Sequence, residues 1–326
     1  MPPVAAAAAG AVCISSSAVL MKLASTASPS VTALGRCAFA LPVLGGLAVL
    51  ERRRGAAPMP SRSRWLARLA GVFLAADLIL WSHSIAAIGA GLGTVVGNLE
   101  VLIIALLAWL VLGERPGRSL VLASPVMLAG LALVGGLADV GGSRAYGADP
   151  GLGVGLGVGV AMLYAVYILM LRQATSPGGA PTAVAAVAAP LFEATAGATV
   201  ASVLLGLALH DLRLGPPWPA LGWLALLALT SQVVGWLLIT VSMTRLAAGM
   251  IGALLLIQPA GSVALSYVFL GERPSVLQLA GVALVLAGVV VAVAGRTPEA
   301  GYSRHKTRII RQASTASTGK SPSKSP

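Results

Sequence analysis

The chain has 326 residues, 57% of them hydrophobic and 10% charged, with a mean hydropathy of +0.90 and a formal net charge of +12. Soluble domains carry about 25% charged residues and a single soluble core stops growing near ~250–300 residues, so this composition excludes a soluble enzyme, a disordered protein and a disulfide-rich secreted domain. The bases sit in short clusters between apolar runs, the positive-inside pattern of membrane proteins rather than a nucleic-acid surface, and Cys13 and Cys37 lie in apolar runs with neither metal spacing nor a disulfide framework.

A spanning helix needs about 20 apolar residues. Ten such runs follow one another, with approximate bounds: Val4 to Leu23, Val31 to Leu50, Leu66 to Ile88, Gly91 to Leu112, Leu120 to Leu137, Gly151 to Leu171, Ala183 to Leu209, Leu221 to Val241, Ala248 to Leu270 and Val276 to Ala294. The first lacks the basic n-region of a signal peptide and is read as a span. Turn residues divide the runs, as in Ser28-Pro29-Ser30, Arg115-Pro116-Gly117, Asp149-Pro150-Gly151, Ser176-Pro177-Gly178 and Gly215-Pro216-Pro217. The expected fold is an all-α integral membrane protein of ten transmembrane helices. Counting bases by loop places 17 of 22 on the side that holds both termini. The rule then puts both termini in the cytoplasm of a multi-pass plasma-membrane protein. Residues 296–326 are Ser/Thr/Lys/Arg-rich and are expected to be a disordered cytoplasmic tail, with Arg304 to Arg311 able to meet anionic lipid head groups. Gly319-Lys320-Ser321 resembles a Walker loop ending, but Ser314 stands where that loop needs glycine.

Val111-Leu112-Gly113-Glu114-Arg115-Pro116 recurs as Phe269-Leu270-Gly271-Glu272-Arg273-Pro274, 158 residues later. The copies close the fourth and ninth runs, an odd number of spans apart, so they face opposite sides. Residues 1–140 and 150–295 therefore read as two five-helix repeats of inverted topology, a device that lets one central site open to either side in turn.

These strings carry a resemblance. With Pro29-Ser30-Val31-Thr32-Ala33-Leu34-Gly35-Arg36, the stretch from Trp81 through Gly91 to Gly113-Glu114-Arg115-Pro116, Ile257-Gln258-Pro259, the second LGERP copy and Leu277-Gln278-Leu279-Ala280-Gly281, the chain resembles the EamA-type transporters of the drug/metabolite transporter superfamily over about residues 5 to 295. The resemblance implies ten helices in two inverted halves, both termini inside, and movement of small metabolites, with export preferred. By the 158-residue offset Glu100 matches Gln258, and Val101 matches Pro259. The first half thus lacks the mid-span proline, and unwinding of the helix is expected only in the second half.

A charge at bilayer centre costs about 2.5–3.5 kcal/mol on insertion scales, so carboxylates at mid-span depth are functional candidates. Glu100 is expected to bind a substrate amine or a coupling proton, since burial favours the neutral form of a carboxylic acid. Its counterpart Gln258 is polar at the same depth. Asp77 shares a helical face with Trp81 and Ser84, a carboxylate and an indole suited to a cationic or zwitterionic ligand. Glu193 is the third candidate. Arg36 either holds a substrate carboxylate or neutralises Asp77 or Glu100, the latter being preferred. Tyr164 and Tyr167 line the cavity or serve as packing residues. His83 reads as structural. Gly151, Gly155 and Gly159, and Gly89, Gly93 and Gly97, form GxxxG units for close helix approach.

The expected function is a secondary transporter, an exporter by preference, for a small polar metabolite, amino-acid-like compound or drug, working by alternating access and exchanging protons. Its partners are that small molecule, protons and anionic lipid; a homodimer is left open, and no nucleic acid, cofactor or metal is expected. A membrane enzyme is disfavoured because the three histidines give no HExxH and no triad. A channel or scaffold is the alternative, disfavoured by single, scattered carboxylates.

Overall fold

Turn residues set where the helices begin and stop. Pro29 and Pro150 open helices at the position where a missing N–H is harmless. Gly271, at φ +65°, closes another in the left-handed conformation. Ser275 and Gln278 then start the next with a reciprocal capping box: Gln278 N donates to Ser275 Oγ at 3.2 Å, and Ser275 N donates to Gln278 Oε1 at 3.0 Å. The computed structural model describes residues 2–112, 117–136, 146–175, 187–243 and 254–294, and every regular element among them is helical.

In chain order the helices are α1 (Pro3–Ser15), α2 (Ser17–Leu23), α3 (Pro29–Arg53), α4 (Ser61–Ile88), α5 (Ala90–Gly97), α6 (Glu100–Leu112), α7 (Arg118–Val134), α8 (Pro150–Thr175), α9 (Ala188–Ala208) and α10 (Ala220–Leu227). A π-helical segment (Ala228–Gly235), α11 (Trp236–Met243), α12 (Ile257–Leu270) and α13 (Val276–Ala294) follow. Every apolar run of the sequence holds a helix. Among the described residues seven stretches are long and apolar enough to cross a membrane, and Arg118–Val134, Ile257–Leu270 and Val276–Ala292 are shorter apolar helices. Outward faces are apolar, with Leu204, Leu207, Val268 and Phe269 all more than half exposed, as expected where lipid is the solvent.

Helices of the N-terminal half pack on helices of the C-terminal half: α4 on α8 and α9, α3 on α9, α5 on α12, α7 on α13, and α1 on α11 and α12. The α4–α8 and α5–α12 pairs run antiparallel, whereas α9 runs parallel to α4, with Glu193 near its start meeting Arg64 and Arg68 near the start of α4. Gly153 near the start of α8 meets Ile88 at the end of α4, while Gly159 meets Leu80. Gly91 at the start of α5 meets Ser266 late in α12, and Thr94 meets Ser262 one turn earlier. Ile88, Leu92, Val95, Val96, Met127 and Val285 form the largest buried apolar cluster along these seams.

Glycine packs differently from the sequence expectation. A Cβ at Gly153 would lie 2.5 Å from Ile88 Cβ, and one at Gly157 would meet Val96, whereas Gly155 and Gly97 face open space. Residues 151–159 carry glycine at every second position, so two i, i+4 series compete. The helix turns Gly153 and Gly157 toward α4 and α5; of the expected Gly151, Gly155 and Gly159, only Gly159 packs there, on Leu80.

Among the described residues, four rods are interrupted. Ser16 separates α1 from α2, and the π-helical turn interrupts the rod of α10 and α11. Between α5 and α6 the backbone tightens to i→i−3 bonds, Asn98 N to Val95 O and Leu99 N to Val96 O, both 3.1 Å. The expectation of unwinding in the second half alone is therefore corrected. Asn98 and Leu99 correspond by the 158-residue offset to Leu256 and Ile257, and Leu256 is a turn residue at the start of α12. In the second half Pro259 contributes by having no N–H for the Leu255 carbonyl. In the first half Gly97-Asn98 weakens the helix without proline.

Candidate functional site

Carboxylates are costly at membrane depth, and their partners show what each is for. Seven lie among the described residues. Glu51 accepts the backbone N–H groups of Val187 and Ala188 at the start of α9, at 3.1 and 3.0 Å. Asp211 accepts from Ser30 N in the first turn of α3, and Asp149 from Leu152 N in the first turn of α8. Glu272 accepts from Ala90 N at 2.7 Å and Gly91 N at 3.1 Å, capping α5 from another helix pair. Each satisfies orphan donors at a helix N-terminus. Glu193 receives Arg64 Nε at 3.0 Å and Arg68 Nε at 2.6 Å. Asp77 and Glu100 have no hydrogen bond or ion pair among the described residues, and Asp77 Oδ1 is buried without a partner.

These two carboxylates converge. They line a cavity of about 320 Å³ together with Arg36, Trp81, Tyr164, Tyr167, Gln232, Trp236, Gln258, Asn98, Thr94 and Ser17, closed by Ile14, Leu74, Leu78, Ile104, Val160 and Ile239, among others. α4 supplies Asp77 and Trp81 one turn apart. Glu100 stands in the first turn of α6 and Gln258 in the first turn of α12, each just past its helix break. Asp77 lies within electrostatic reach of both Arg36 and Glu100, and Tyr164 within reach of all three. The Tyr164 and Tyr167 rings pack with centroids 5.7 Å apart at 50°.

The Arg36 guanidinium is held by neutral groups. Nε donates to Gln232 Oε1 at 3.0 Å, one terminal nitrogen to Ser17 Oγ at 3.0 Å, and the other to Ser231 Oγ at 3.5 Å. The expected pairing with Asp77 or Glu100 is corrected: the arginine fork is anchored to α2 and the π-helical segment, and among the described residues no carboxylate lies within ion-pair distance.

A sequence profile of the EamA-like transporter family matches residues 1–136 and again 151–294. The chain belongs to the EamA-like transporter family. No curated protein matches it, but 27 chains of solved structures do. One, titled "Crystal structure of protein", is similar at a TM-score of 0.54 and 18% identity, over 88% of this chain and 94% of that one; at that identity the likeness concerns the fold.

Within this EamA-like chain the structure brings together seven of the sequence candidates: Asp77, Trp81, Glu100, Gln258, Arg36, Tyr164 and Tyr167. Two stand apart. Glu193 lies outside the cavity, because the first turns of α4 offer it two arginines. Ser84, one turn beyond Trp81, is fully buried and donates to Gly153 O at 2.8 Å, fastening α4 to α8. Sequence reasoning missed Gln232, Asn98, Trp236 and Ser17. Thr230-Ser231-Gln232 is a polar triplet inside an apolar run and was a usable signal; π-helical turns often mark functional sites. Asn98 beside Gly97 was a second. Trp236 and Ser17 carry no signal distinguishable from ordinary packing residues. The first LGERP copy, at Gly113 to Pro116, and the tail from residue 296 lie outside the described residues.

Proposed function

We propose that this EamA-like chain is a secondary transporter, working as an exporter, that carries a small polar metabolite, amino-acid-like compound or drug through the central cavity by alternating access. It crosses the plasma membrane ten times as two inverted five-helix halves, with both termini in the cytoplasm. Protons exchange at Glu100 and Asp77. The observation that carries the reading is the pair of unpartnered carboxylates facing one cavity while the other described carboxylates are engaged in capping or ion pairing. The inverted arrangement draws support from the antiparallel course of α5 and α12, from the matched breaks at Asn98–Leu99 and Leu256–Ile257, and from Glu272 sitting at the start of α5 while the first LGERP copy follows the far end of α6.

The test is a metabolite-panel flux assay in proteoliposomes with and without an imposed pH gradient. Flux of at least one compound, driven by the gradient, is expected. Glu100→Gln, which mimics the protonated form permanently, is expected to abolish gradient-driven exchange while the protein remains folded. Unchanged, gradient-sensitive flux in that variant removes Glu100 from the mechanism.

A further inference from the structure

Charge and hydrogen-bond balance in the cavity point beyond a generic polar ligand. Resting on the transporter reading, we infer that the cavity selects organic monocations, compounds with an ammonium group on an aromatic or apolar body, and that zwitterions and anions are excluded.

Among the described residues, the ionisable groups lining the cavity are Arg36, Asp77 and Glu100, with the phenols of Tyr164 and Tyr167. When both carboxylates are deprotonated, the described lining sets two negative charges against one guanidinium, a deficit of one positive charge. The guanidinium already has a neutral acceptor on each of its three nitrogens, so its position is fixed by the protein. The carboxylates have no donor among the described residues, and Asp77, 4% exposed, buries an oxygen without one. A buried acceptor without a donor is a standing cost, and an ammonium group, with three donors and no acceptor, supplies what Asp77 lacks. A ligand carboxylate would meet Asp77 and Glu100 as like charges, which costs rather than contributes. The indole of Trp81, one turn from Asp77, together with Tyr164 provides aromatic faces for a cation and its apolar body. About 320 Å³ falls at the small end of ligand cavities, which suits a single-ring amine.

Three probes that share one ring separate the possibilities: phenethylamine, phenylalanine and phenylacetate, titrated calorimetrically into the purified full-length chain. Phenethylamine is expected to bind at least about tenfold more tightly than phenylalanine, one charge-assisted contact's worth of discrimination, with phenylacetate not binding. Asp77→Asn is expected to weaken phenethylamine by a further tenfold or more. The three-probe comparison needs no variant and stands even if Asp77→Asn fails to fold. Phenylalanine or phenylacetate binding as tightly as phenethylamine overturns the inference, as does the absence of phenethylamine binding or an Asp77→Asn protein that binds it undiminished. The same probes in the flux assay keep the two readings apart. Flux of zwitterions or anions without amines overturns monocation selection and leaves transport standing. Amine binding without flux of any compound overturns transport and leaves the ligand class standing.

Discussion

Replacing Glu272 with alanine tests why glutamate occupies the LGERP repeat. Glu272 is 2% exposed, and its two oxygens accept the N–H groups of Ala90 and Gly91 at 2.7 and 3.1 Å, where Gly89, at φ +97°, turns the chain from α4 into α5. Alanine orphans both donors in a buried place. At about 1–3 kcal/mol for each unsatisfied group, the loss is about 2–6 kcal/mol. Glu272→Gln keeps one carbonyl acceptor but turns an amide toward the second N–H, so it should fall between wild type and alanine. At about 1.5 °C per kcal/mol for a chain of this size, the alanine variant should melt at least roughly 3 °C lower. Thermal unfolding in detergent, followed by tryptophan fluorescence, reads this directly. A melting temperature unchanged by Glu272→Ala, or a glutamine variant less stable than alanine, would refute the capping argument.

Three other outcomes follow from the geometry. Gly153→Leu should separate α4 from α8 and cost about 1–3 kcal/mol through overpacking, whereas Gly155→Leu, which faces open space, should leave the melting temperature unchanged; equal effects would deny the helix register. Glu193→Gln should cost no more than about 1–2 kcal/mol, because its arginine partners are 47% and 39% exposed, and should leave phenethylamine affinity intact; a large loss of affinity would return Glu193 to the pathway. Arg36→Lys should destabilise by roughly 1–3 kcal/mol, since one ammonium cannot span Gln232, Ser17 and Ser231 together; a protein of unchanged stability would mean the fork is not an anchor.

The sequence made the helices legible because lipid imposes length and apolarity on each one, and the LGERP copies made the repeat visible. The cavity was legible where cost singled a residue out: nothing but function or a partner keeps Asp77 and Glu100 at their depth. The same reasoning failed for Glu193, because Arg64 and Arg68 read as loop bases and only the structure places them in the first turns of α4, against α9. It failed for Arg36 because serine and glutamine partners leave no charge pattern to find. It failed for the first-half break because proline was the expected cause, while Gly97-Asn98 loosens the helix by weak propensity alone. Among the glycines two phases of one pattern were equally present, and packing chose between them.

The breaks beside Glu100 and Gln258 have a mechanical meaning. A continuous rod moves as one piece, so a tilt at either end is transmitted through its whole length. A rod jointed at mid-depth can pivot there, and here the polar groups sit at the fulcrum. Gly97, Asn98 and Leu255 of the two joints line the chamber, so on the alternating-access reading an occupant would bear directly on the angle of both rods.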